Sequence, residues 1–173
     1  MVVRNRYEIK DDTATLTITR RNGEVFVVII DPDDVTRVKK YSWSIDLRKD
    51  GYTAVQTVAW DGSKYAKLYM SRFIIDPPLG MEVDHININP LDNRKDNLRV
   101  VTRLENSQNL RLARSDNKSS GLRGVSWNAR RRKWMAYLTV KGKRRYLGYF
   151  IDLGEANDAV TVARASSMPF STN

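Results

Sequence analysis

The stretch Arg114-Ser-Asp-Asn-Lys-Ser-Ser-Gly121 contains no apolar side chain and ends on a helix breaker, so neither a buried strand nor an amphipathic helix can run through it. It has the composition of a linker, 114–121, and divides the 173-residue chain into two pieces that must each bury a core of their own. Cysteine is absent. That removes disulfide partners, thiol catalysis and thiolate zinc sites, and leaves packing alone to hold both pieces together.

Ahead of the linker, strand signals dominate. Thr13 to Thr19 alternates apolar and polar, Arg21-Asn22-Gly23 supplies a turn, and Val25 to Ile30 returns, which predicts a hairpin over 13–30. Asp31-Pro32-Asp33-Asp34 then reads as a helix start, with proline in the first turn and acids at the positive dipole end, running to about Lys40. Residues 1–50 thus form a hairpin with a short helix. A second strand pair is expected from Tyr52 to Val58 and Lys64 to Met70 around the turn Trp60-Asp-Gly-Ser63, and 68–75 turn helical before Asp76-Pro77-Pro78. A strand through Met81 to Asp84, a turn-rich stretch from Asn87 to Asn93 and an apolar piece, Leu98 to Val101, follow. Thr102-Arg-Leu-Glu105 is a capping box, predicting a helix from Arg103 into the 110s.

Behind the linker, three short strands are expected near 122–127, 133–140 and 144–150, with Lys141-Gly-Lys143 as a turn. A closing helix behind Asp152 or Gly154 repeats small apolar residues at Ala156, Ala159, Val160 and Ala163, a spacing that lays one flat face on a sheet. The expected class is α+β: a β-rich N-terminal region, a strand–turn–strand–helix unit over 51–113, and over 122–173 a three-stranded sheet on one helix. Trp43 and Tyr52 are expected to be buried, and Trp127, Trp134 and Phe150 to pack as core or platform residues.

Thirty Lys and Arg against twenty Asp and Glu give a net charge of +10, so the surface attracts polyanions, and nucleic acid is the leading partner class. An anionic membrane is the other candidate. Its support is poor, because the longest apolar run, Val25 to Ile30, is far too short to span, and no basic amphipathic helix stands out. Met1-Val-Val-Arg-Asn-Arg-Tyr7 lacks the form of a secretory signal, so cytoplasmic residence is expected.

Three side chains suited to hydrolytic chemistry fall on the strand–turn–strand–helix unit. Asp84 and His85 end one strand, and Asn106 sits on the capped helix, which can return it to face them. The Asp84 carboxylate and the Asn106 carboxamide oxygen are hard ligands that suit Mg²⁺ or Mn²⁺, an ion that keeps its other positions for water and phosphate. His85 is the single histidine, with an ordinary pKa of about 6.5, so it can act as a neutral base toward water. Taken singly, each has an ordinary structural reading; their order and spacing argue for a site.

The run Asp84-His85-Ile-Asn-Ile-Asn-Pro-Leu-Asp-Asn-Arg-Lys-Asp-Asn-Leu-Arg-Val-Val-Thr102, followed by Glu105-Asn106-Ser-Gln-Asn109, closely resembles the HNH homing endonucleases common in phages and mobile introns. The resemblance implies a ββα-metal nuclease core over 51–113. In that core His85 activates water, Asp84 and Asn106 bind the divalent ion, and Asn97 braces the hairpin turn. Relatives often carry histidine in the segment where this chain has Met70-Ser71-Arg72; Arg72 and Arg99 remain as candidate DNA contacts.

Leu122 to Ser167, with Arg123-Gly-Val125, Lys133-Trp134-Met-Ala136 and Arg145-Tyr-Leu-Gly-Tyr-Phe150, resembles the ethylene-response-factor type of DNA-binding domain. That family reads the major groove of double-stranded DNA with its sheet. Carried over position by position, Arg123, Ser126, Asn128, Tyr137, Thr139, Arg144 and Tyr146 are strand sites that face DNA. Arg130 and Arg132, in the run Arg130 to Lys133, are either a solvated turn or phosphate contacts. The Tyr41-Ser-Trp43 segment resembles the leading region of similar phage proteins.

Together these readings predict a monomeric, metal-dependent endonuclease cutting phosphodiester bonds of double-stranded DNA. The alternative is a DNA-binding protein or repressor whose nuclease centre is inactive.

Overall fold

The computed structural model describes residues 5–47, 53–109, 117, 119–140 and 142–171. It divides into two compact units, 1–102 and 103–173.

The first unit opens with β1 (Arg6–Lys10), β2 (Thr13–Thr19) and β3 (Val25–Ile30), an antiparallel sheet in the order β1-β2-β3. Strict alternation in β2 drives Ala14, Leu16 and Ile18 inward, and β3 buries Val28 and Ile30 beside them. A short 3-10 turn, Pro32–Asp34, leads into α1 (Val35–Val38), which supplies the buried Val35 and Val38. Strand β1 was not expected; Tyr7 and Ile9 alternate over too few residues to stand out, and it exists because Lys10 can pair with Thr13 across a two-residue turn.

Next come β4 (Ser44–Leu47), β5 (Thr53–Trp60) and β6 (Tyr65–Tyr69), a second antiparallel sheet in that order. Strand β4 is also an addition to the sequence reading. Trp60, expected in the turn, ends β5 instead, and the turn shifts to Asp61, whose Oδ1 accepts from the Ser63 and Lys64 backbone N–H groups at 2.9 Å each. Then α2 (Met70–Ile75) runs on directly from β6 and stops at Asp76, which adopts the left-handed conformation (φ 49°) just ahead of Pro77.

Strands β7 (Glu82–His85) and β8 (Leu98–Val101) form an antiparallel ribbon. The core of this unit is continuous across its sheets: Leu16, Val28, Ile30, Val38, Trp43, Val55, Met70, Ile74 and Leu98 belong to one buried cluster. Trp43 is 3% exposed, and its Nε1 donates to the Val38 carbonyl at 2.8 Å, so its one polar atom is satisfied in the interior. The expectation for Tyr52 lies outside the described residues.

The second unit holds α3 (Arg103–Asn106), a 3-10 turn at Ser107–Asn109, then β9 (Val125–Asn128), β10 (Lys133–Val140), β11 (Lys143–Phe150) and α4 (Leu153–Ser167). Helix α3 is a single turn, and its expected continuation into the 110s lies outside the described residues. The three strands form one antiparallel sheet in the order β11-β10-β9. Helix α4 is capped by Asp152, whose side chain accepts from the Glu155 N–H at 3.0 Å, and it lays Ala156 and Val160 on Val125 and Ala136.

Two expectations need correction here. The first strand was placed at 122–127, but 122–124 turn the chain and the strand starts at Val125, because Gly124 holds φ +86° with the Tyr137 carbonyl too close for any side chain. Trp127, expected to pack, is 44% exposed at the sheet edge and meets Trp134 edge-on, centroids 4.9 Å apart. Most of the expected linker, including 114–116 and 118, lies outside the described residues. Its end is structured, since Asn117 Nδ2 donates to the carbonyls of Leu122 (2.8 Å) and Val125 (2.6 Å).

Candidate active site

The ribbon of β7 and β8 sets Asp84 opposite Arg99 and His85 opposite Leu98. Arg99 reaches across with both Nε (2.9 Å) and Nη2 (2.6 Å) to Asp84 Oδ2. Asp84 is only 8% exposed, so this charge-assisted pairing compensates a carboxylate that burial would otherwise penalise. Arg99, a candidate DNA contact by sequence, is therefore turned toward the carboxylate. Arg72 donates from Nη1 to the Met81 carbonyl at 2.8 Å, which holds the chain where it enters β7.

Between the strands, residues 86–97 form a loop stitched by its own polar side chains. Asn97 is buried, and its Nδ2 donates to the Asp92 carbonyl (2.7 Å) and to Asn87 Oδ1 (3.0 Å), while its Oδ1 accepts from the Asn87 N–H (3.0 Å). Arg94 grips Asp92 with two bonds, Nε to Oδ1 (2.8 Å) and Nη2 to Oδ2 (2.7 Å), and these hold the Asp92 carboxyl below its usual pKa range.

The loop is also fastened to the first sheet. Ile29 N–H donates to the Leu91 carbonyl at 2.8 Å, and Asn93 N–H donates to the Ile29 carbonyl at 2.7 Å, forming a parallel bridge on β3. Beyond β3, Asp31 Oδ2 accepts from the Lys95 N–H (2.8 Å), and the buried Asp34 pairs with Lys95 Nζ (3.1 Å) and Arg37 Nε (2.8 Å). The hairpin of 13–30 is thus the floor on which the loop rests.

His85 Nε2 lies 3.2 Å from Asn93 Oδ1. Burial lowers the imidazole pKa below its usual value, opposed by the Asn93 hydrogen bond and by the charges of Asp84 and Asp92. The ring therefore favours its neutral form, which can accept a proton.

Asp84, His85, Asn97 and Arg99 come together in the first unit, whereas Asn106 ends α3 in the second. Sequence reading did not single out Asn93, Asp92, Asp31 or Asp34. The turn holds Asn87, Asn89 and Asn93, and nothing in the sequence marks which of these asparagines meets the histidine.

In the second unit, strand register sorts the remaining candidates. Ser126 pairs with Met135, Asn128 with Lys133, Tyr137 with Tyr146 and Thr139 with Arg144, so Ser126, Asn128, Tyr137, Thr139, Arg144 and Tyr146 share the face opposite α4. Arg144 stacks over the Tyr137 ring at 4.2 Å, and Arg131 over Tyr149 at 4.5 Å. Arg130 and Arg132 are exposed in the turn between β9 and β10. Arg123, expected on a strand, precedes β9 instead, and its guanidinium donates to the carbonyls of Ser107 and Gln108 at 2.7 Å each.

Residues 77–108 match the HNH endonuclease family, and the chain carries an HNH endonuclease domain there. A relative is Protein 3.8 of Escherichia phage T7, 42% identical over 67 residues. The aligned part is 39% of this chain and 54% of that protein, so the chain spans about half the length of the curated relative it matches. No solved structure matches. Among the described residues, no three His, Cys, Asp or Glu cluster to hold a metal, and no helix is long and apolar enough to cross a membrane.

Proposed function

We propose that this chain is a metal-dependent endonuclease of the homing type that hydrolyses phosphodiester bonds in double-stranded DNA, with His85 as general base. The observation that carries this reading is the placement of a half-buried, neutral-leaning imidazole next to a carboxylate on one strand of a braced hairpin, inside the segment that matches the HNH family.

The donor set suits magnesium or manganese. Such ions need only one or two protein carboxylate or carbonyl oxygens and take the rest from water and phosphate, so a centre without three clustered His, Cys, Asp or Glu is compatible with them. Asp84 is the proposed carboxylate ligand; Asn106 joins it on the strength of the sequence motif. When bound, the ion would supply positive charge to the phosphate and the departing oxygen.

The chain's own residues do the rest. His85 takes a proton from water as it attacks phosphorus. Asn97 keeps the loop closed beneath it, and Arg99 fixes the Asp84 carboxylate through Oδ2. The second unit would hold the duplex in the manner of an ethylene-response-factor domain, using the sheet face of Ser126, Asn128, Tyr137, Thr139, Arg144 and Tyr146, with Arg130 and Arg132 on phosphates. With one copy of the motif in the sequence, a monomer makes one nick at a time, and double-strand cleavage needs a second visit or a second chain.

A second reading, a DNA binder with a silent centre, has one observation in its favour: two Arg99 nitrogens bond Asp84 Oδ2, so the carboxylate already has a positive partner without an ion. Nicking of supercoiled plasmid in Mg²⁺, measured against EDTA, separates the two. Nicking that needs the metal supports the enzyme, and binding without nicking supports the silent form.

A further inference from the structure

The single histidine meets a side chain, Asn93, whose own orientation is set by its other contacts. Asn93 is 1% exposed. Its Nδ2 donates to the Pro90 carbonyl at 3.1 Å, and its backbone N–H donates to the Ile29 carbonyl at 2.7 Å. Ile29 lies in β3 between Val28 and Ile30, both fully buried, so the asparagine hangs from a strand anchored in the core of the unit.

A carbonyl oxygen only accepts, so the amide edge toward Pro90 must be nitrogen. The opposite edge, toward His85, is then oxygen, which also only accepts. His85 must donate to it from Nε2, and a neutral imidazole has one N–H to give.

We propose that Asn93 is a positioning residue that locks His85 in the Nε2–H tautomer and leaves Nδ1 as the nitrogen that receives the proton. This rests on the nuclease reading for its catalytic consequence, but the tautomer stands without it. It also gives the N-terminal hairpin a role in the chemistry, because the chain of contact runs from β3 through Asn93 to the base.

One histidine in the chain makes the imidazole nitrogens directly readable. In a long-range proton–nitrogen correlation spectrum of the ¹⁵N-labelled full chain without metal, Nε2 is expected at the shift of a protonated nitrogen and Nδ1 at that of an unprotonated one. An Nδ1–H tautomer, or an even mixture, overturns the proposal. Asn93→Asp keeps an acceptor and should keep the tautomer, whereas Asn93→Leu should mix the two forms. If Asn93→Leu fails to fold, the wild-type and Asn93→Asp spectra still decide.

A folded Asn93→Leu protein that retains the pure Nε2–H form also overturns it. In the plasmid assay, Asn93→Leu should lose roughly 10- to 100-fold in turnover with little change in KM, and Asn93→Asp should recover most of that loss. Plasmid nicking by wild type with an Nδ1–H histidine would sink this inference alone. The expected tautomer with no nicking would uphold it and sink the nuclease reading.

Discussion

Asn97 carries more of the loop than its size suggests. Its carboxamide makes three hydrogen bonds in a buried position, two of them to Asn87 and one to the Asp92 carbonyl. Asn97→Ala strands those partners, and unmet buried polar groups cost about 1–3 kcal/mol each, so the first unit should lose about 2–4 kcal/mol of unfolding free energy in urea. A change below about 0.5 kcal/mol would show that the loop is held by its backbone ties instead. At this scale the sequence pointed to residues whose type suggests chemistry, and of these the ribbon and its loop carry one histidine, the aspartate before it, and Asn97. It was silent on partners. Asp84 and Arg99 lie fifteen positions apart, and only the register of two short strands sets them opposite each other. Asn93 looked like any other turn residue because its importance comes from what its two edges meet.

Among the elements, the loop between β7 and β8 is the one whose stability should respond to acid. Arg94 lowers the Asp92 pKa, so the folded state favours the carboxylate. The sign follows: the contribution is fully present above the unfolded value of about 3.9 and is lost as pH falls through the lower folded value. The stability gap between wild type and Asp92→Asn should therefore be widest near neutral pH and close on acidification below about pH 4. A gap that does not vary with pH would contradict this role for Arg94. In the second unit, the start of β9 depends on Gly124, where an added Cβ would stand 2.6 Å from the Tyr137 carbonyl oxygen and 3.0 Å from Val160 Cγ1. Gly124→Ala should cost about 2 kcal/mol or more, because the left-handed backbone and the clash act together, and thermal unfolding of that unit would show it. Long alternating or helical stretches such as β2, β3, β10 and α4 were readable from their periodicity. Strands β1 and β4 were not, since five and four residues carry too little pattern and form only because a neighbouring strand offers its edge.

For the whole molecule, the +10 charge predicts a strong salt dependence of DNA binding. Each phosphate contact contributes about 0.9 to the slope of log affinity against log salt, so replacing Arg130, Arg132 and Arg144 by glutamine should flatten that slope by about 2 to 3. An unchanged slope would remove the second unit from the DNA-binding account. The way the first sheet supports the loop was not legible in the sequence, because that support runs through backbone atoms that no side-chain pattern reports. The proposed role of His85 in hydrolysis is read from single-turnover nicking of supercoiled plasmid in Mg²⁺ by wild type and by His85→Ala. Metal-dependent nicking should fall at least about 100-fold in the variant while DNA affinity is retained. Equal nicking rates for the two proteins would contradict it.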